Sequence, residues 1–85
     1  MLIINEAEYI KDYLIWVEFN NNTKGVADFT TIVNKEEFSS LKEQDRFIEY
    51  GLDDTIFWRI RNSKNQIIKE LDLAPEYILD NLMVK

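Results

Sequence analysis

Between Tyr13 and Phe29 the chain runs Tyr-Leu-Ile-Trp-Val-Glu-Phe, then three asparagines and a threonine, then Lys-Gly-Val-Ala-Asp-Phe. Ile15, Val17 and Phe19 recur at period two, which in an extended strand places them on one face and Glu18 on the other. Asn20, Asn21 and Asn22 suit a tight reversal, because asparagine tolerates left-handed backbone angles and bonds its own backbone. The segment is therefore expected to be a β-hairpin with strands over 13–20 and 24–29. It sets the register of a small sheet and specifies no reaction. Upstream, residues 3–9 read as a first strand, with Ala7 and Tyr9 on one face and Glu6 and Glu8 on the other. Lys11 and Asp12 bend the chain between the two.

The pattern changes after Phe29. Residues 30–33 form a single helical turn, and Phe38, Leu41, Phe47 and Ile48 fall at helix-like spacing in a charged stretch. Ser39 and Ser40 interrupt that stretch and leave a helix over 41–49. Gly51-Leu52-Asp53-Asp54-Thr55 then reverses the chain. Residues 56–60 are β-branched and aromatic and read as a strand. A turn cluster at 62–65 lets 66–71 run back beside it. Asp72 is placed to cap a last helix that starts at Pro75 and carries Ile78, Leu79, Leu82 and Met83 on one stripe through Val84.

Composition narrows the function classes. At 85 residues the chain makes one domain, 1–85. It has neither cysteine nor histidine, so a disulfide, a thiolate metal site and the usual proton shuttle are excluded. Two glycines cannot build a phosphate cradle, and no nucleotide-binding or nucleophile-elbow motif is present. No metal, no cofactor and no catalytic residue is expected. The net charge of -6 repels phosphate backbones, so direct nucleic-acid binding is not expected either. No signal peptide or apolar run of membrane-spanning length is read in the chain, which makes a cytoplasmic location the expectation.

The charged residues that remain are candidates for contact with a partner. Glu36, Glu37, Glu43, Asp45, Glu49, Asp53 and Asp54 form an acidic stretch, read as a solvated face or as a surface for a basic protein. Arg59, Arg61, Lys64 and Lys69 gather near Trp58; Arg59 and Arg61 share a strand face, where they blunt an edge or meet an acidic partner. The candidate partner-binding set is Glu36, Glu37, Glu43, Asp45, Asp53, Asp54, Arg59 and Arg61. Adjacent Asp53 and Asp54 read as turn formers rather than an acid–base couple. Asp28 and Asp72 read as caps, with a shared cation as the sharper alternative.

Asp12-Tyr13, the alternating Ile15, Val17 and Phe19, and Gly25-Val26-Ala27-Asp28-Phe29 resemble the opening of the bacterial domain-of-unknown-function 2442 family. The likeness continues through Phe38, Leu41, Phe47 and Leu52-Asp53 to Thr55-Ile56-Phe57-Trp58 and Asp72-Leu73-Ala74-Pro75-Glu76-Tyr77. The family pattern has Trp-Pro-Asn-Gly leading almost at once into Asp-Leu-x-Pro. Here Arg59-Ile60-Arg61 follows Trp58 and about a dozen residues intervene, read as an added strand pair. The resemblance implies a small α+β fold with an antiparallel sheet and a C-terminal helix. It carries over no catalytic residue. It also implies a neighbouring-gene partner of the toxin–antitoxin kind.

The expected fold is α+β: a five- or six-stranded mostly antiparallel sheet with two short helices, 41–49 and 75–84, packed on one face. The expected core is Ile15, Val17, Phe19, Val26, Phe29, Phe38, Leu41, Phe47, Ile56, Trp58, Ile78 and Leu82. The expected function is a non-enzymatic protein-binding module, antitoxin-like or an accessory partner in a two-protein bacterial system. The alternative is an acidic decoy, encoded by a phage or mobile element, that occupies the basic nucleic-acid-binding surface of its target. Unpaired backbone at a sheet edge makes strand addition by a partner, or by a second copy to give a homodimer, the first mechanism to test.

Overall fold

In the computed structural model, which describes residues 1–85, three hairpin-connected strands open the chain: β1 (Ile4–Lys11), β2 (Leu14–Phe19) and β3 (Lys24–Asp28). Three helical pieces follow: α1 (Thr30–Val33), a 3-10 segment (Glu36–Lys42) and α2 (Gln44–Phe47). A second meander, β4 (Gly51–Asp53), β5 (Thr55–Arg61) and β6 (Ile67–Asp72), leads to α3 (Pro75–Asn81). No helix is long and apolar enough to cross a membrane.

The α+β class holds, and the single sheet does not. Six strands are present, but they form two three-stranded antiparallel sheets, β1-β2-β3 and β4-β5-β6. Each strand pairs with its neighbour in sequence, and the two sheets meet through β1, whose Ile4 N–H donates to the Asp54 carbonyl at 2.8 Å. Local pairing is the cheaper closure, because each one- to five-residue turn closes a short loop. Every reversal uses one Asp or Asn at positive φ: Asp12 (49°), Asn22 (70°), Asp54 (63°) and Asn65 (61°). These residue types enter the left-handed region at least cost.

The hairpin forms as its sequence predicts. Ile15, Val17 and Phe19 are wholly buried, and Asn20 ties down the N-terminus by accepting from Ile3 N–H and donating to the Met1 carbonyl. Val26, expected in the core, lies on the outer face, and Ala27 is buried instead. The register explains it: Ala27 pairs with Ile15 and Val26 with Trp16, so Ala27 shares the core face.

Both sheets and all helical pieces feed one core of sixteen buried side chains, which includes the other eleven expected residues. Ile4, Ala27, Ile32, Val33 and Ile60 complete it. Trp58 is its centre, packed on Phe29, Phe38 and Phe47 at centroid distances of 5.7, 6.5 and 5.6 Å. Its indole N–H donates to the Phe47 carbonyl at 2.8 Å, which fixes α2 against β5.

The helical expectations need three corrections. The span 41–49 is no single helix: a 3-10 segment runs through Ser39 and Ser40, and α2 is a single turn that ends at Phe47. Asp72 does not cap α3; it ends β6 opposite Phe57, and Ala74 precedes the helix with no side-chain cap. Pro75 does sit in the first turn. Asp28 does bond the start of a helix, its carboxylate accepting from Thr30 N–H (2.9 Å) and Thr30 Oγ1 (2.6 Å). Finally, α3 stops at Asn81, and the chain then runs along β3. Asp28 N–H donates to the Leu82 carbonyl and Val84 N–H to the Val26 carbonyl, both at 2.8 Å. That tail closes the outer edge of the first sheet.

Candidate functional site

The eight charged residues singled out from the sequence fall into separate places. Glu36 and Glu37 border a shallow hollow with Lys35, Ser39 and Lys69. Glu43 and Asp45 line a polar groove whose other wall includes Arg61, Asn62 and Asn65. Asp53 and Asp54 lie at the β4–β5 turn, beside the start of β1. Arg59 and Arg61 do come together, in a hollow of about 230 Å³. The acidic stretch is thus not one face, because folding intersperses it with Lys35, Lys69, Arg46 and Arg61. Asp28 and Asp72 stand in different sheets, and no group of three or more Asp and Glu is disposed to hold a metal ion.

Two further surfaces stand out, the second of them a sheet edge of the kind on which strand addition is expected. The first is the outer face of sheet β1-β2-β3. Its cross-strand rows read Glu6–Glu18–Lys24, Glu8–Trp16–Val26 and Lys11–Leu14–Asp28. Trp16 is central and half-buried. Leu14, Trp16 and Val26 belong neither to the core nor to the side chains packed against it. Glu6 stands directly opposite Glu18, an arrangement that destabilises a sheet. The molecule's two ion pairs, Arg46–Glu43 and Arg59–Glu70, lie elsewhere, and the cation in register with these glutamates is Lys24, opposite Glu18. The sequence did hold a signal for this face: a tryptophan at the outward phase of an otherwise regular alternation.

The second is the outer edge of β6. No backbone hydrogen bond reaches β6 from a strand beyond it, and Ile67 and Ile68 are 50% and 59% exposed. A register shift opposite Ile60 and Arg61 lets Ile68 bulge from the ladder, and Lys69 and Glu70 follow it. Bulges and charges are both devices that limit indiscriminate edge pairing.

The hollow around Arg59 and Arg61 arises because β4 begins only at Gly51, opposite Phe57. From Trp58 onward, the side of β5 that faces β4 has no strand partner. Glu49, Tyr50, Arg46 and Leu41 form the far wall. The Tyr50 phenol is pushed above its ordinary value of 10.0 by burial, with the Glu8 carboxylate adding and a hydrogen bond from the Tyr9 backbone opposing. The fold therefore favours the neutral phenol. That contribution is whole below the ordinary tyrosine value and is lost as pH climbs through the higher folded value. Phenolate absorbance during an alkaline titration is expected to include a step above the ordinary tyrosine value, and Tyr50→Phe is expected to remove it.

Comparison with protein families, curated proteins and solved structures returned no match to this chain.

Proposed function

We propose that this chain is a non-enzymatic protein-binding module, and that the Trp16 face is its principal contact. One observation carries the reading: a sheet face with tryptophan at its centre, flanked by three glutamates and left outside the core. Tryptophan is the side chain most often responsible for affinity at protein interfaces, and a rim of near-neutral contacts that excludes water completes such a site. Leu14 and Val26 supply apolar area beside it. Glu6, Glu8 and Glu18 select a partner that presents lysine or arginine to the indole, where the cation gains both from the carboxylates and from the ring face.

The likeness to the 2442 family points to the product of a neighbouring gene as the partner, as in an antitoxin-like or accessory protein of a two-protein bacterial system. Native co-expression with each adjacent gene product tests it. A stoichiometric complex that survives gel filtration is the expected result. Failure of every neighbour to associate with the wild-type chain would remove the reading.

The acidic decoy is the second reading, and the directly opposed Glu6–Glu18 pair with Glu8 on the same face favours it. The two readings separate on salt. A decoy held by charge loses affinity steeply as ionic strength rises, whereas a contact dominated by Trp16, Leu14 and Val26 persists. Strand addition at β6 is a separate mode, and a charge in place of Ile68 is expected to break it while sparing contact through Trp16.

A further inference from the structure

The hollow beside β5 gathers three guanidiniums, those of Arg46, Arg59 and Arg61, against one carboxylate, that of Glu49. Their hydrogen-bond accounts are largely open. Arg46 uses Nε for Glu43 at 3.1 Å, and Arg59 turns its Nε toward Glu70 at 3.5 Å. Arg61 donates only Nη1, to the Asn65 carbonyl at 3.0 Å. Both terminal nitrogens of Arg46 and of Arg59 have no protein partner, and that terminal fork is what grips a carboxylate with two parallel bonds.

Arg59 is held in place before any ligand arrives. Its guanidinium lies over the Phe57 ring, 5.1 Å from the centroid. The ring in turn rests on Gly51, where a Cβ would run into it. Gly51 therefore has a steric reason to be glycine: it lets Phe57 lie flat and carry Arg59. Pre-set guanidinium geometry lowers the ordering cost of binding.

We infer that this hollow is a binding site for a single carboxylate on an apolar stem, of the kind a glutamate side chain or a chain-terminal carboxyl of a protein partner presents. Its volume of about 230 Å³ is below the range of roughly 300–1,000 Å³ usual for small-molecule pockets, and it suits one side chain. Leu41, Tyr50, Phe57 and Ile60 line it for the stem. Glu49 in the wall, with Glu43 and Glu70 on the flanking arginines, opposes a multiply charged anion more than a monoanion. Phosphate is the disfavoured occupant for that reason. The inference goes beyond the Trp16 reading, since the site lies on the other sheet and its partner chemistry has the opposite sign.

The test follows the arginine Nε–H resonances of the intact chain while a blocked glutamate peptide, its glutamine twin and inorganic phosphate are titrated separately. Saturable shifts at Arg46, Arg59 and Arg61 with the glutamate peptide alone are the expected result. Arg59→Gln is expected to weaken that binding by about tenfold or more, the scale of a lost charge-assisted bond. Gly51→Ala, which leaves every charge in place, is expected to weaken it too by displacing Phe57. Equal shifts with the glutamine twin, tighter binding of phosphate, or an unchanged affinity in Arg59→Gln would each overturn the site. A folded Gly51→Ala chain that binds normally would overturn the positioning role of Phe57.

Discussion

Trp58→Ala is expected to cost this protein most or all of its folded population at physiological temperature. Trp58 is 1% exposed, and Phe29, Phe38 and Phe47 all lean on its ring. Truncation of a buried tryptophan typically costs about 3–5 kcal/mol through lost transfer energy and the cavity left behind. The Phe47 carbonyl also loses its indole donor, and an unsatisfied buried acceptor adds about 1–3 kcal/mol. Domains hold roughly 0.05–0.15 kcal/mol per residue, which for this length is on the order of 4–13 kcal/mol. The two figures are comparable, so the variant sits at or below the threshold. Trp58→Phe separates the terms, because it keeps most of the ring volume and removes only the donor. Urea denaturation followed by circular dichroism is expected to rank the chains wild type, Trp58→Phe, Trp58→Ala. A Trp58→Ala midpoint close to that of the wild type would mean that the core is not organised around this ring.

Trp16→Ala is expected to do the reverse. The residue stands on the outer face of its sheet, and its loss removes no contact from the core. The denaturation midpoint should fall by less than in Trp58→Ala, since the half-buried ring packs only on its sheet neighbours and leaves no cavity in the core. Association with the partner is expected to weaken by about 2 kcal/mol or more, roughly thirtyfold, the scale of an interface hot spot. Glu8→Lys and Glu18→Lys bracket the effect. Each sets a cation beside Trp16, so each is expected to oppose a basic partner and to leave the fold intact. Equilibrium titration of the purified pair reads both quantities. Unchanged affinity in all three variants would move the contact to another surface.

The contrast between these two tryptophans shows what the sequence made legible. Both were visible as residues of strands, and their alternation phase sorts them. Trp58 shares the phase of Ile56 and Ile60, whereas Trp16 falls between Ile15 and Val17. Phase within a strand is local information and survived folding intact. Pairing between strands is not local. Val26 and Ala27 could exchange faces on a one-residue change of register, which only the turn geometry around Asn22 decides. The division into two sheets was invisible for the same reason, since nothing in β1 or β4 states whether they bond to each other. β4 itself was hidden because Gly51 and Asp53 read as turn residues, while its three pairs with β5 come from tertiary context.

The candidate site divides in the same way. Arg59 and Arg61 were legible as a pair on one strand face, because period two fixes that from sequence alone. That Arg46 joins them depends on where α2 lands against β5, which the Trp58–Phe47 hydrogen bond sets. The acidic stretch was legible as composition and misleading as a surface. Glu36, Glu43 and Asp53 are exposed to solvent in separate places, and the glutamates that do share a face, Glu6 and Glu18, come from strands on either side of a turn.

Acrylamide quenching of tryptophan emission, in the free chain and then in its complex with the co-expressed partner, tests the central proposal most directly. Trp58 is sealed in the core and Trp16 is not, so the free chain should show one accessible and one protected emitter. The account predicts that the accessible component disappears when the partner binds. A complex in which that component is quenched as readily as in the free chain would contradict it.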